Sequence, residues 1–272
     1  MKICIENVKK KTPLIHNITN YVTVNDCANI LLACGGSPIM SDDKNEVAEI
    51  TAICGGLNIN IGTLNERTVD AMLIAGKKAN ELNHPVVLDP VGAGASALRT
   101  NIANKLIEEI KFTVIRGNIS EIKTLAGSSS KTQGVDANVA DKVTDENLDN
   151  AIAFAKAFSE KAGAVVAITG AIDIVCNSHK AFIIRNGHPM MSNVTGTGCM
   201  LSAITAAYVT ANPDFTLEAT AAAVCSMGLA GEIAYNRLTE SGGNSSYRNY
   251  IIDAIYNMTP EQLEKGAKYE VR

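Results

Sequence analysis

The sequence predicts an α/β protein, a three-layer α/β/α sandwich around a central, mainly parallel sheet. Three observations carry this. Short apolar runs of three to five residues alternate with longer amphipathic stretches from about residue 14 to 125, and strands joined by crossovers of that length form right-handed βαβ units. The strand candidates are nearly continuous in apolar residues, as strands covered on both faces are. Neither an internal repeat nor a linker of biased composition interrupts the 272 residues, so residues 1–272 read as a single domain.

Taken in order, the strand candidates are Leu14–Ile18, Ser37–Met40, Leu57–Ile61, Val86–Leu88 and Thr113–Ile115. Helical stretches fall between and after them at about 23–34, 45–54, 65–82, 98–110 and 118–126. From Gly127 to Asp149 the texture turns polar, rich in Ser, Lys, Asp, Asn and Gly, which predicts a surface loop or irregular insertion, a candidate cover for a nucleotide. A helix at about 147–161 leads to a strand at Ala164–Thr169. Ile172–Asn177 and Lys180–Arg185 read as antiparallel strands turning at Ser178-His179. After Cys199 the pattern is helical throughout, at about 199–210, 216–236 and 244–257.

Composition narrows the function classes. Net charge is −4, the one basic cluster (Lys9-Lys10-Lys11) is short, Trp is absent and aromatics make up 4%. Nucleic-acid binding is therefore not expected. No apolar run near the start resembles a signal peptide, and Asn212-Pro213-Asp214 interrupts the longest uncharged region, so no membrane span is expected either. Seven scattered cysteines without a C-x-x-C pair indicate reduced thiols in a cytoplasm, and four unrelated histidines argue against zinc.

In open α/β sheets ligands bind beyond the carboxyl ends of the strands, so the polar residues there are the candidates. Val194-Thr195-Gly196-Thr197-Gly198-Cys199-Met200 reads as a glycine-rich turn opening a buried helix. The free N–H groups and positive dipole end of such a helix suit phosphate, or the charge of a phosphoryl group in transfer. A tight packing turn with a buried Cys has the same appearance. Asp89, in Leu88-Asp89-Pro90-Val91-Gly92-Ala93-Gly94, either holds Mg²⁺ or stabilises an Asp-Pro turn. In Ile115-Arg116-Gly117-Asn118-Ile119-Ser120-Glu121, Asn118 and Glu121 fit a capping box. The same spacing turns Glu121 toward Asp89, where two hard oxygen ligands can share a hydrated Mg²⁺. Arg116, one residue past the strand, reaches phosphates or stays at the surface. Thr169, at the tip of Val166-Ala167-Ile168-Thr169-Gly170, binds phosphate or caps a turn. Polar density around His16-Asn17-Ile18-Thr19-Asn20, with Met40 and Gly62 at neighbouring strand ends, suits a small, partly apolar organic substrate.

Together these segments resemble a known family. Asn118-Ile119-Ser120-Glu121 matches the N-x-x-E motif of the ribokinase-like superfamily, and Thr195-Gly196-Thr197-Gly198-Cys199 its anion-hole segment. His16-Asn17-Ile18-Thr19-Asn20, Pro38-Ile39-Met40, Asn60-Ile61-Gly62-Thr63, Leu88-Asp89-Pro90-Val91-Gly92-Ala93 and the Cys in the anion hole resemble the hydroxyethylthiazole kinases, over residues 12 to about 236. The resemblance implies a ribokinase-like fold. It also implies ATP- and Mg²⁺-dependent phosphorylation of the hydroxyl of 5-(2-hydroxyethyl)-4-methylthiazole in thiamine biosynthesis, by a homotrimer with sites between subunits. It places Cys199, Gly196, Thr197 and Gly198 at the chemistry. Met40, Gly196, Asn20 and Gly62 fall on the substrate, Arg116 and Thr169 on ATP, and Asp89 and Glu121 at the metal. Many superfamily relatives carry Asp where Cys199 stands. The alternatives are a hydroxymethylpyrimidine or pyridoxal kinase of the same superfamily, a dehydratase of repaired nicotinamide cofactors, and a non-catalytic nucleotide-binding module.

Overall fold

A computed structural model of the protein describes residues 1–127 and 142–272. Most of the polar stretch predicted from Gly127 to Asp149 lies outside the described residues. Nine strands form one sheet among the described residues: β1 (Leu14–Ile18), β2 (Ser37–Met40), β3 (Gly56–Asn60), β4 (Val86–Asp89), β5 (Val114–Gly117), β6 (Val165–Ile168), β7 (Asp173–Cys176), β8 (Ala181–Ile184) and β9 (Tyr269–Val271). The order is β2-β1-β3-β4-β5-β6-β7-β8-β9. Pairing is parallel from β2 to β6 and antiparallel from β6 to β9.

Two apolar cores sandwich this sheet. On one face lie α1 (Lys2–Lys11), α2 (Val24–Cys34), α8 (Thr197–Ala211), α9 (Thr216–Asn236), α10 (Asn244–Asn257) and α11 (Pro260–Gly266). The other face carries α3 (Val47–Ile53), α4 (Glu66–Glu81), α5 (Ala97–Glu109), α6 (Ile119–Leu125) and α7 (Leu148–Ala162). The central strands have no wet face. Val86, Val87 and Leu88 are fully buried, and each such side chain contributes roughly 1.5–3 kcal/mol. The helix α8 is almost wholly apolar because it lies across the middle of the sheet. It approaches β3 so closely that a Cβ at Gly56 would meet the Thr210 hydroxyl at 2.1 Å. Helix α9, within Pro213–Asn236, is long and apolar enough to cross a membrane by length and composition, but 78% of that window is buried inside this core.

Two expectations need correction, and one element was not anticipated. The chain is not all-helical after Cys199, because Tyr269–Val271 returns as β9 against β8; a three-residue edge strand, exposed throughout, is too short for its alternation to stand out. The unanticipated element is α1, Lys2–Lys11, whose apolar positions Cys4, Ile5 and Val8 sit at helical spacing among lysines. Arg116 lies within β5 rather than beyond it; the cross-strand pairing of Arg116 with Ala167 and Gly117 with Ile168 extends the strand by two residues.

Candidate active site

Parallel strands deliver their last residues to one rim of the sheet, where they meet the first turn of α8. Asn60 ends β3 and stands opposite Asp89, the last residue of β4. Gly196 is the N-cap of α8, with a left-handed φ of 91°. A side chain there would also strike the Thr23 methyl, its Cβ 2.4 Å away, so glycine is required twice over. The helical ladder opens with the Met200 N–H donating to the Gly196 carbonyl at 2.8 Å. The N–H groups of Thr197, Gly198 and Cys199 are therefore left without intrahelical acceptors at the positive end of the dipole.

Asp89 is completely buried, and its two oxygens live differently. Oδ2 accepts from Ser202 Oγ at 2.8 Å, Asn60 Nδ2 at 3.0 Å and Arg116 Nη1 at 3.3 Å. Oδ1 is buried with no partner among the described residues, as is Arg116 Nε. Burial pushes the Asp89 carboxyl up, and the Arg116 guanidinium chiefly offsets this. Arg116 also donates through Nη2 to Thr169 Oγ1 at 2.7 Å, and its guanidinium packs against Gly198, where a Cβ would lie 2.6 Å from Nη1.

Glu121 belongs to the capping box that the spacing predicts. Its N–H donates to Asn118 Oδ1, and its Oε2 accepts from the Asn118 N–H at 2.8 Å. Oε1 accepts from the Gly92 N–H at 2.7 Å, which ties α6 to the loop after β4. Burial first, and then the negative charge of Asp89, push the Glu121 carboxyl up to about 7. Two carboxylates, one with an orphaned oxygen, fit the one or two protein ligands a largely hydrated Mg²⁺ takes. No group of three or more His, Cys, Asp or Glu suited to a metal occurs among the described residues.

Cys199 accepts two amide bonds at its sulfur, from Asn20 Nδ2 at 3.2 Å and Asn60 Nδ2 at 3.3 Å. Burial, followed by the Asp89 charge, pushes its thiol up. Gly62 joins through its N–H, which donates to Asn60 Oδ1 at 2.9 Å. The structure thus brings Asn20, Gly62, Asp89, Arg116, Glu121, Thr169, Gly196, Gly198 and Cys199 to one rim. Thr197 is the first residue of α8. Met40 stands apart from the hydrogen-bonded set, at the end of the edge strand β2, half-buried against the α8 core.

Sequence reasoning missed four contributors. Ser202 lies one turn after Cys199, and that spacing could have found it. Thr23 donates to Asn20 Oδ1 through both its N–H and its hydroxyl, at 3.1 Å each. Arg99 ties two site loops together, donating to the Gly62 and Val91 carbonyls at 2.7 and 3.1 Å. Asp173 accepts the Gly170 N–H at 2.8 Å and braces the turn carrying Thr169. An acid heading an otherwise apolar strand was its only signal.

Sheet, helical layers and rim chemistry together place the molecule among the small-molecule kinases of ribokinase-like fold. Solved pyridoxal kinase of Staphylococcus aureus in complex with ADP shares the fold alone, at TM-score 0.62 and 13% identity over 95% of this chain and 97% of that one. The Hydroxyethylthiazole kinase family model matches residues 5–261. A hydroxyethylthiazole kinase of Clostridium acetobutylicum is 67% identical over 270 residues, 99% of each chain. The structure of a hydroxyethylthiazole kinase from Pyrococcus horikoshii OT3 superposes at TM-score 0.88 with 34% identity, covering 100% of both chains. The chain belongs to the hydroxyethylthiazole kinase family.

Proposed function

We propose that residues 1–272 act as a single ribokinase-like kinase domain. It moves the γ-phosphoryl group of ATP onto the hydroxyl of 5-(2-hydroxyethyl)-4-methylthiazole, a step of thiamine biosynthesis. The observation that carries this reading is the continuity of the rim. A helix N-terminus with free N–H groups, a guanidinium and two buried carboxylates converge beside a thiol flanked by amides. Phosphoryl transfer asks a protein mainly for positioning and charge neutralisation, and these groups supply both.

In this reading the alcohol oxygen forms its bond to the γ-phosphorus as the bond to the ADP oxygen breaks, and the hydroxyl proton leaves to the transferred phosphoryl oxygens or to solvent. N–H groups of residues 197–199 stabilise the equatorial oxygens of the migrating group. Arg116, held by Thr169 and Asp89, neutralises further phosphate charge. Asp89 and Glu121 would hold Mg²⁺, which supplies charge neutralisation across the phosphates when bound. Met40, Gly62, Asn20 and Gly196 form the thiazole side. Cys199 orients the hydroxyl; with its thiol raised by burial, it is at most a weak base.

The enzyme works as a homotrimer whose subunits share the site. The exposed apolar side chains Tyr21 (78%) and Val22 (57%), next to Asn20 at the mouth, support this. All seven thiols are free and buried, in keeping with a reducing cytoplasm. The test is ADP formation by purified enzyme with ATP, Mg²⁺ and one of three alcohols: the thiazole, hydroxymethylpyrimidine or pyridoxal. ADP formation is expected to follow the thiazole, with a trimeric mass by light scattering. A preference for either of the other alcohols, or no stimulation by any, would overturn the assignment.

A further inference from the structure

We propose that Asn60 is a positioning residue of this reaction, a side chain that holds the substrate wall, the thiol and the buried carboxylate in mutual register. The inference rests on the proposed function above, because it concerns what those groups do together.

The side chain of Asn60 makes four hydrogen bonds, the full complement of one amide. Its Nδ2 donates to Asp89 Oδ2 at 3.0 Å and to Cys199 Sγ at 3.3 Å. Its Oδ1 accepts from the Gly62 N–H at 2.9 Å and from Asn20 Nδ2 at 3.0 Å. The four partners come from β4, from α8, from the loop after β3 and from the loop after β1. Asn60 is 1% exposed, so no water substitutes for a lost partner without rearrangement.

The donor and acceptor ends serve opposite sides of the site. The nitrogen faces the catalytic side, Asp89 and Cys199, and the oxygen faces the thiazole side, Gly62 and Asn20. The nitrogen cannot be exchanged with the oxygen, because Asp89 accepts and the Gly62 N–H donates. Asn20 reinforces this polarity. Its Oδ1 is taken by Thr23, so its Nδ2 is the end that reaches both Asn60 and Cys199. The sulfur of Cys199 is therefore fixed from two directions, and the alcohol it orients is fixed relative to Asp89. Through Asn60, a single side chain joins the thiazole-side loops to the carboxylate.

This polarity allows the donor half to be cut while the acceptor half is kept. Asn60→Asp keeps the acceptor oxygen for Gly62 and Asn20, but presents an oxygen where Asp89 and Cys199 need a donor. Asn60→Ala removes both halves and introduces no repulsion. For Asn60→Asp we expect kcat to fall by about 10²-fold, the effect of misplacing reacting groups by an ångström or so. The KM for the thiazole alcohol should stay within about threefold, because the thiazole-side contacts survive. For Asn60→Ala, kcat should fall comparably and KM should rise at least about tenfold.

Retention of kcat within about threefold of the parent by Asn60→Ala would overturn the inference even if Asn60→Asp failed to fold. So would kcat and KM moving identically in both variants, since a purely structural role predicts that. Parent enzyme without thiazole-dependent ADP formation would instead defeat the functional reading. An active parent whose Asn60 variants behave like it defeats this inference alone.

Discussion

A single methyl group at position 198 should separate catalysis from folding. A Cβ on Gly198 would stand 2.6 Å from Arg116 Nη1 and 2.7 Å from Nη2. Ordinary contact begins near 3.4 Å, so Gly198→Ala must drive the guanidinium back by about 0.8 Å. That end of Arg116 is flexible, and the backbone has no need to move. The displacement pulls Nη1 from a contact with Asp89 already 3.3 Å long, and Nη2 from Thr169 at 2.7 Å. Loss of one preorganised charge-stabilising donor costs about 10²–10³-fold in turnover, or roughly 2.7–4 kcal/mol. Stability should hardly change, because alanine is favoured over glycine inside a helix by up to about 1 kcal/mol, which offsets the strain. The assay pairs steady-state kinetics in ATP and thiazole alcohol with thermal unfolding of the same preparation. The reasoning is refuted if Gly198→Ala keeps kcat/KM within about threefold while Arg116→Ala abolishes it. Activity and Tm falling in proportion would refute it equally.

Two further outcomes follow from the geometry. Cys199→Ser keeps an atom that accepts from Asn20 and Asn60, so kcat should fall by no more than about 10-fold, far less than in Glu121→Gln. Equal losses would make the thiol a principal base and contradict its minor role. Asp173 is buried, and that burial raises its carboxyl from 3.8 to about 7. The folded protein thus keeps a proton that the unfolded chain has released, and it loses stability as pH rises from about 4 to 7, by up to about 4 kcal/mol. Asp173→Asn retains the acceptor for Gly170 N–H, so it should stabilise by about 2 kcal/mol more at pH 8 than at pH 5 in denaturant titrations. An identical gain at both pH values would show that Asp173 does not titrate in this window.

Much of the architecture could be read from the residues because the parallel half of the sheet obeys simple rules. Leu14–Ile18 and Ser37–Met40 coincide with β1 and β2, and the helices between strands fall within two or three residues of their predicted ends. Buried strands are uninterrupted apolar runs, and crossovers are long enough to show helical periodicity. The capping box at Asn118 and Glu121 was legible because caps are local. Legibility failed where structure is set at a distance. Tyr269–Val271 becomes a strand only because β8 offers it an edge, and Arg116 extends β5 only because Ala167 lies opposite. In the site, residue types announced individual groups but not their wiring. Nothing local to Asn60, Thr23 or Arg99 says that they connect four loops. Only the register of β3 against β4 puts Asn60 across from Asp89.

The short strand β9 has a consequence for handling this protein. It covers the outer backbone of β8, whose four residues Ala181–Ile184 are all buried. It offers solvent the charge of Glu270, ion-paired with Arg272 at 3.0 Å. Removing the last five residues would bare a smooth apolar ribbon ready to recruit identical ribbons from other molecules. Those few C-terminal residues, far from the catalytic rim, thus protect the molecule against precipitation and stray self-association.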